Sequence, residues 1–333
     1  MQHKPEQQSE HQLAQIASHY SEDAAPSPRR RGLARMHHRA SRLDPTIKGM
    51  LWTTLAGMLF CILNALMRYI SLELHPFQTQ FLRYLLGVAV MLPLILRSGI
   101  ASYMPKRIGG QFARGGVHCV GLWLWFAALP HTPLADMTAI GFTTPIFIML
   151  GAYLFFHEAM RWDRWTAAVI GLAGVLVVVA PKVSGIGSGG SHYHLIMLAA
   201  CPVFAGSFLL TKSLTRTEST GVIVAWQGIT VAIFSLAPAL LVWQAPTAWQ
   251  WLGFVATGVL GSAGHYCLTR SFAAADISAT QSVKFLDLVW ASIMGWLVFA
   301  DTPSHSTIVG GVVIAASTLW IARREARARG LPN

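Results

Sequence analysis

Three ionisable residues lie where ionisable residues are costly. Arg83 falls within the apolar run FLRYLLGVAVML, and Lys284 and Asp287 fall within KFLDLVWASIMGWLVF. A charge at the centre of a membrane-spanning helix costs at least about 2.5–3.5 kcal/mol, so such groups pair or face a wet cavity and often mark a substrate path. Lys284 and Asp287 stand three apart on one helical face, where ammonium and carboxylate can meet. The pair can recognise charge, couple protons, or lock a helix. Arg83 can hold an anionic group such as a carboxylate.

Further polar groups sit inside other apolar runs. Asn64, His118, Gln227 and His265 can each glue helices through hydrogen bonds or contact a ligand. His265 can also relay a proton, because imidazole titrates near neutral pH. Trp290 follows Asp287 by three and can stack on a cationic or aromatic ligand. Arg68 and Arg114 lie near span ends, where a long stem carries the charge to the interface. No His, Asp or Glu cluster gathers at one membrane face, so no catalytic residue is assigned and an enzyme is not expected. The cysteines, Cys61, Cys119, Cys201 and Cys267, lie in apolar runs without a CxxC spacing and read as small buried residues, not metal ligands. Gly185-x-Gly187-x-x-Gly190 matches a dinucleotide fingerprint but lies between spans, so it reads as a flexible linker and no cofactor follows. His192 and His194 lack the further ligands a metal needs.

The elements that must hold these residues are membrane helices. The chain is 53% hydrophobic and 12% charged, about half the charge of a soluble domain. Its formal net charge of +11 comes mainly from the tails and short loops, which excludes a nucleic-acid partner. Ten spans are expected, at about 49–70, 76–97, 109–130, 132–156, 162–181, 194–213, 219–243, 249–271, 277–300 and 304–322. The polar tail, 1–47, lacks the apolar surface to fold alone and is expected to be disordered. With that tail inside, the inner loops hold Arg97, Lys106, Arg107, Arg161, Arg164, Lys212, Arg216, Arg270 and the basic tail 323–333, against Lys182 alone outside. Both termini are therefore expected to be cytoplasmic, in an inner membrane.

The sequence also repeats. At an offset of about 144 residues Arg68 meets Lys212, Pro93 meets Pro238 and Glu158 meets Asp301. Each half then holds five spans, 48–181 and 194–322, joined by the linker 182–193. Five is odd, so the second copy enters the membrane inverted, the layout of many secondary transporters. The fold class expected is all-α integral membrane, ten helices in two inverted five-helix repeats. The repeat breaks at the charged pair: Lys284 and Asp287 meet Gly141 and Thr144.

These features resemble the drug/metabolite transporter superfamily, in its EamA-type ten-span branch. The likeness runs from about residue 49 to 322 and is carried by Arg83 in FLRYLLG, LADMTAIGFTTPIF, Glu158 ending FFHE, Gly171 and Gly174 followed by Pro181, and KFLDLVWASIMGWLVFAD. LHPFQTQFLRY, RWDRW and KFLDLV look closest to S-adenosylmethionine-uptake carriers. The resemblance implies two five-helix bundles around a central cavity lined by the first four spans of each half, with the fifth and tenth helices peripheral. Ala300-Asp301 departs from the more usual Gly-Glu ending. The expected function is a secondary carrier of a small polar metabolite, amino-acid-like or S-adenosylmethionine-like. The alternative is a non-transporting partner subunit or lipid-handling scaffold, which a dry cavity would favour. Expected partners are the metabolite and membrane lipid, with a homodimer left open.

Overall fold

In the computed structural model, residues 44–132, 143–158, 162–183 and 191–300 are described, with positions 137, 140–141 and several between 305 and 320. The amino-terminal tail, the glycine linker at 184–190, Asp301, Gly311 and the basic tail lie outside the described residues. The described residues from Pro45 onward form one unit.

The described regular structure is all helical. α1 runs Pro45–Ser71 and α2 Pro76–Ser98, each opened by a proline where no backbone N–H is needed. A 3₁₀ turn, Ile100–Tyr103, leads to α3, Ile108–Ala128. Then come α4, Thr143–Phe156, and α5, Trp162–Val183. The second half holds α6, Ser191–Leu214, and α7, Thr220–Leu241, which Ser219 caps. α8, Ala248–Ala274, begins in a capping box of Thr247 and Gln250.

Among the described residues, five stretches are long and apolar enough to span: Pro45–Ser71, Pro76–Ser98, Ile108–His131, Leu195–Leu214 and Thr220–Leu241. Thr143–Phe156 and Val289–Val298 are shorter apolar helices. Outward faces stay apolar: Phe155, Leu195, Leu241 and Leu252 are all exposed. A soluble protein avoids so much exposed apolar surface; a bilayer rewards it. The chain is a multi-pass membrane protein.

The ninth apolar stretch is not the single helix expected. It is α9, Ile277–Gln281, a 3₁₀ segment, Ser282–Leu286, and α10, Asp287–Phe299. Lys284 sits at the centre of the 3₁₀ segment and Asp287 opens α10. In 3₁₀ winding, side chains three apart eclipse, which sets one charge over the other.

Packing shows two copies of one unit. α1 packs on α8 and α3 on α6; α2 packs on α8 and α3 on α7; α4 packs on α6 and α10 on α1; α2 and α7 pack on each other. Exchanging α1 with α6, α2 with α7, α3 with α8 and α4 with α9–α10 maps this set onto itself. The backbone repeats too. Among the described residues other than glycine, only His157 and Ala300 have positive φ, 52° and 54°. They end α4 and α10, at matching places in the repeat. This left-handed position is one that glycine fills without strain. α2 and α8 pass close together at Gly87 and Gly258, where a Cβ on Gly258 would stand 2.8 Å from the Gly87 nitrogen. All four cysteines are buried and free.

Candidate functional site

A cavity of about 180 Å³ lies between the two halves. α1, α2, α3 and α4 contribute one wall, and α6, α8 and the α9–α10 break contribute the other. No described residue of α5 lines it. It could hold several waters.

Five of the seven predicted residues meet there: Asn64, Arg83, His265, Lys284 and Asp287 all line the cavity. Gln227 stands behind His265 and lines a smaller adjoining void with Arg83 and Tyr84. Trp290 is not among the lining residues, and its indole nitrogen is buried without a hydrogen-bond partner among the described residues.

Lys284 Nζ lies 3.9 Å from Asp287 Oδ2, and their side chains are 17% and 22% exposed. The ammonium also stands 5.7 Å above the Phe208 ring. The Asp287 carboxylate rests on α1 at Gly57, where any Cβ would collide with it. Gly141 and Thr144, the counterparts of the pair in the other half, line the same cavity. At this matched position one half is thus neutral and the other charged.

Arg83 is 5% exposed. Its guanidinium lies 4.7 Å from the Tyr84 ring centre and against Gly261 of α8, where a Cβ would come within 3.2 Å. No carboxylate pairs with it among the described residues.

Behind the cavity runs a polar network that ties the halves together. The Tyr84 hydroxyl lies 3.1 Å from His118 Nε2 and 3.5 Å from His265 Nε2. His118 Nδ1 stands 3.1 Å from Ser207 Oγ, and Gln227 Nε2 stands 3.3 Å from His265 Nε2. His118 and His265 come from the matching helices α3 and α8 and meet edge to face, 5.4 Å between centres. Both line the cavity as well as binding across helices.

Arg114 departs from expectation. It does not snorkel: it is 2% exposed and points across to the second half. It donates to Thr211 Oγ1, to the Ile223 carbonyl at 2.9 Å and to Gln227 Oε1. Closeness to the helix start suggested a charge reaching for water, but these three acceptors replace water inside the protein. Its counterpart at the repeat offset is Gly258. That asymmetry is the signal that could have flagged it, as it flagged Lys284 and Asp287. Tyr84 carries the same mark, for its counterpart is Gly228.

Glu158 also reaches beyond the neighbouring helix. Its Oε1 accepts from the Ile277 N–H at 3.2 Å, at the start of α9 in the other half. Nearby, Lys212 Nζ donates to the carbonyls of Phe272 and Ala275 at the end of α8, at 2.8 and 2.6 Å. A cation suits a helix carboxyl end.

The chain's likenesses agree with this architecture. The model of the EamA-like transporter family matches residues 47–180 and again 192–323. A riboflavin transporter of Rhizobium johnstonii is 28% identical over 89% of this chain and 99% of its own length. An S-adenosylmethionine uptake transporter of Rickettsia prowazekii is 26% identical over 85% of this chain and 95% of its own. A pseudopaline exporter of Pseudomonas aeruginosa is 27% identical over 85% and 99%. One solved crystal structure shares the fold with a TM-score of 0.70, at 20% identity over 84% of this chain and 98% of its own.

Proposed function

Because this chain belongs to the EamA-like transporter family, we propose that it carries a small zwitterionic or anionic metabolite through the cavity between its halves. The observation that carries this reading is the cavity wall itself. Arg83 and Lys284 are positive and Asp287 negative, so the described lining holds one excess positive charge. A ligand with a carboxylate for Arg83 and an amino group for Asp287 meets both signs. A net cation such as S-adenosylmethionine meets an excess of its own sign. Neutral riboflavin offers Arg83 no carboxylate. An amino-acid-like substrate is therefore favoured over either.

The finer architecture belongs to the same proposal. Ten spans, with repeats over 48–181 and 194–322, cross an inner membrane with both termini cytoplasmic. The second repeat is inverted, and rocking of one repeat against the other exposes the cavity to each side in turn. The exchange of packing partners between the halves supports this reading. Relatives are named both for uptake and for export, so direction must be measured.

Reconstituted proteoliposomes test the proposal. Radiolabelled amino acids, S-adenosylmethionine and riboflavin are supplied to wild type, Asp287→Asn and Lys284→Met. Uptake of an amino acid in the wild type, lost in Asp287→Asn, is expected. Equal transport by both variants would remove the pair from the mechanism, and preference for the net cation would reject the charge argument.

A further inference from the structure

The network fixes where one proton sits. Arg114 has only N–H groups to offer, so the Gln227 atom facing its Nη2 must be the carbonyl Oε1. The other end of that amide is then the NH₂ group, and it points at His265 Nε2 from 3.3 Å. A donor facing Nε2 requires a lone pair there, so the proton of His265 lies on Nδ1. That second nitrogen has no hydrogen-bond partner among the described residues, and the ring lines the cavity. His118 is not fixed in this way, because both hydroxyls beside it, Tyr84 and Ser207, can donate or accept.

We infer that Arg114, acting through Gln227, locks His265 as a neutral Nδ1–H donor facing the cavity, where it takes an acceptor atom of the substrate, such as a carbonyl oxygen or a ring nitrogen. Arg114 is a positioning residue: it lies outside the cavity wall and works through the amide. The binding role rests on the transport reading above; the proton position does not.

Nitrogen-15 spectra of the full-length protein in detergent test the proton position with no substrate present. The His265 signals are assigned by their loss in one folded variant, His265→Gln or His265→Asn. The wild type is expected to show a protonated Nδ1 and a bare Nε2. Gln227→Glu keeps the size of the side chain and its bond to Arg114, but a carboxylate only accepts, so the proton must appear on His265 Nε2. For the best-transported of the radiolabelled probes, that variant is expected to raise KM about tenfold with little change in kcat, the effect of one lost hydrogen bond. A wild-type proton on Nε2, or a Gln227→Glu spectrum like the wild type, overturns the inference. An altered spectrum with unchanged KM keeps the proton assignment and overturns the role in binding.

Discussion

The two halves share a scaffold and differ in chemistry. Helix packing partners exchange across the repeat, and both α4 and α10 end in a left-handed residue. At the cavity the copies part company. Lys284 and Asp287 face Gly141 and Thr144; Arg83 answers to Gln227, and Arg114 to Gly258. His118 and His265 keep their type in matching helices, as do Phe60 and Phe204, yet only His265 has its proton fixed. A duplicated frame needs equal copies to build a symmetric pocket wall. A substrate with unlike ends needs that wall to be unequal. Under the proposed function the charge asymmetry serves recognition, and the shared geometry serves construction.

The largest effect that would break this comparison is at Arg83. Arg83→Met should lower uptake about a hundredfold, the cost of losing a charge-assisted bond to a buried anion, while expression and thermal unfolding in detergent stay near wild type. Uptake close to wild type would return Arg83 to the scaffold. Next, Gly57→Ala should cost about tenfold in uptake, because the new methyl displaces the Asp287 carboxylate from α1. Uptake near wild type with a lowered thermal unfolding midpoint would show that Gly57 acts through packing alone. Thr144→Ala, at the neutral counterpart of Asp287, should change uptake less than about threefold, within the range of one neutral hydrogen bond.

The smallest effect sharpens the symmetric side. Ala300→Gly and His157→Gly should each stabilise by about 1 kcal/mol, since both residues hold left-handed backbone. Thermal unfolding in detergent checks this, and similar gains in the two halves are expected. A gain in only one would mean that the two helix ends differ in strain despite their matching φ.

Much of this was legible in the residues. Hydropathy marks the spans because the bilayer demands it. The offset of the repeat picks out Lys284 and Asp287 as an exception, and their spacing of three anticipates their contact. The break in winding at Ser282–Leu286 was not legible, since an apolar run with one lysine reads as continuous helix. Arg114 was misplaced because depth along a helix says nothing of which face a side chain takes, and its acceptors lie about a hundred residues away on α6 and α7. Tyr84 escaped notice because an aromatic in an apolar run reads as packing. Trp290 was singled out by spacing alone, and spacing from Asp287 does not bring it to the cavity wall.

The short 3₁₀ segment makes the charged pair a gauge of winding. At about 120° per residue, Lys284 stands directly in line with Asp287; at the 100° of an α-helix it would swing about 60° aside. Rewinding those five residues would pull the ammonium off the carboxylate and shorten the segment by about 2.5 Å. Any such change of pitch is therefore also an electrical event, uncovering a negative charge on the cavity wall.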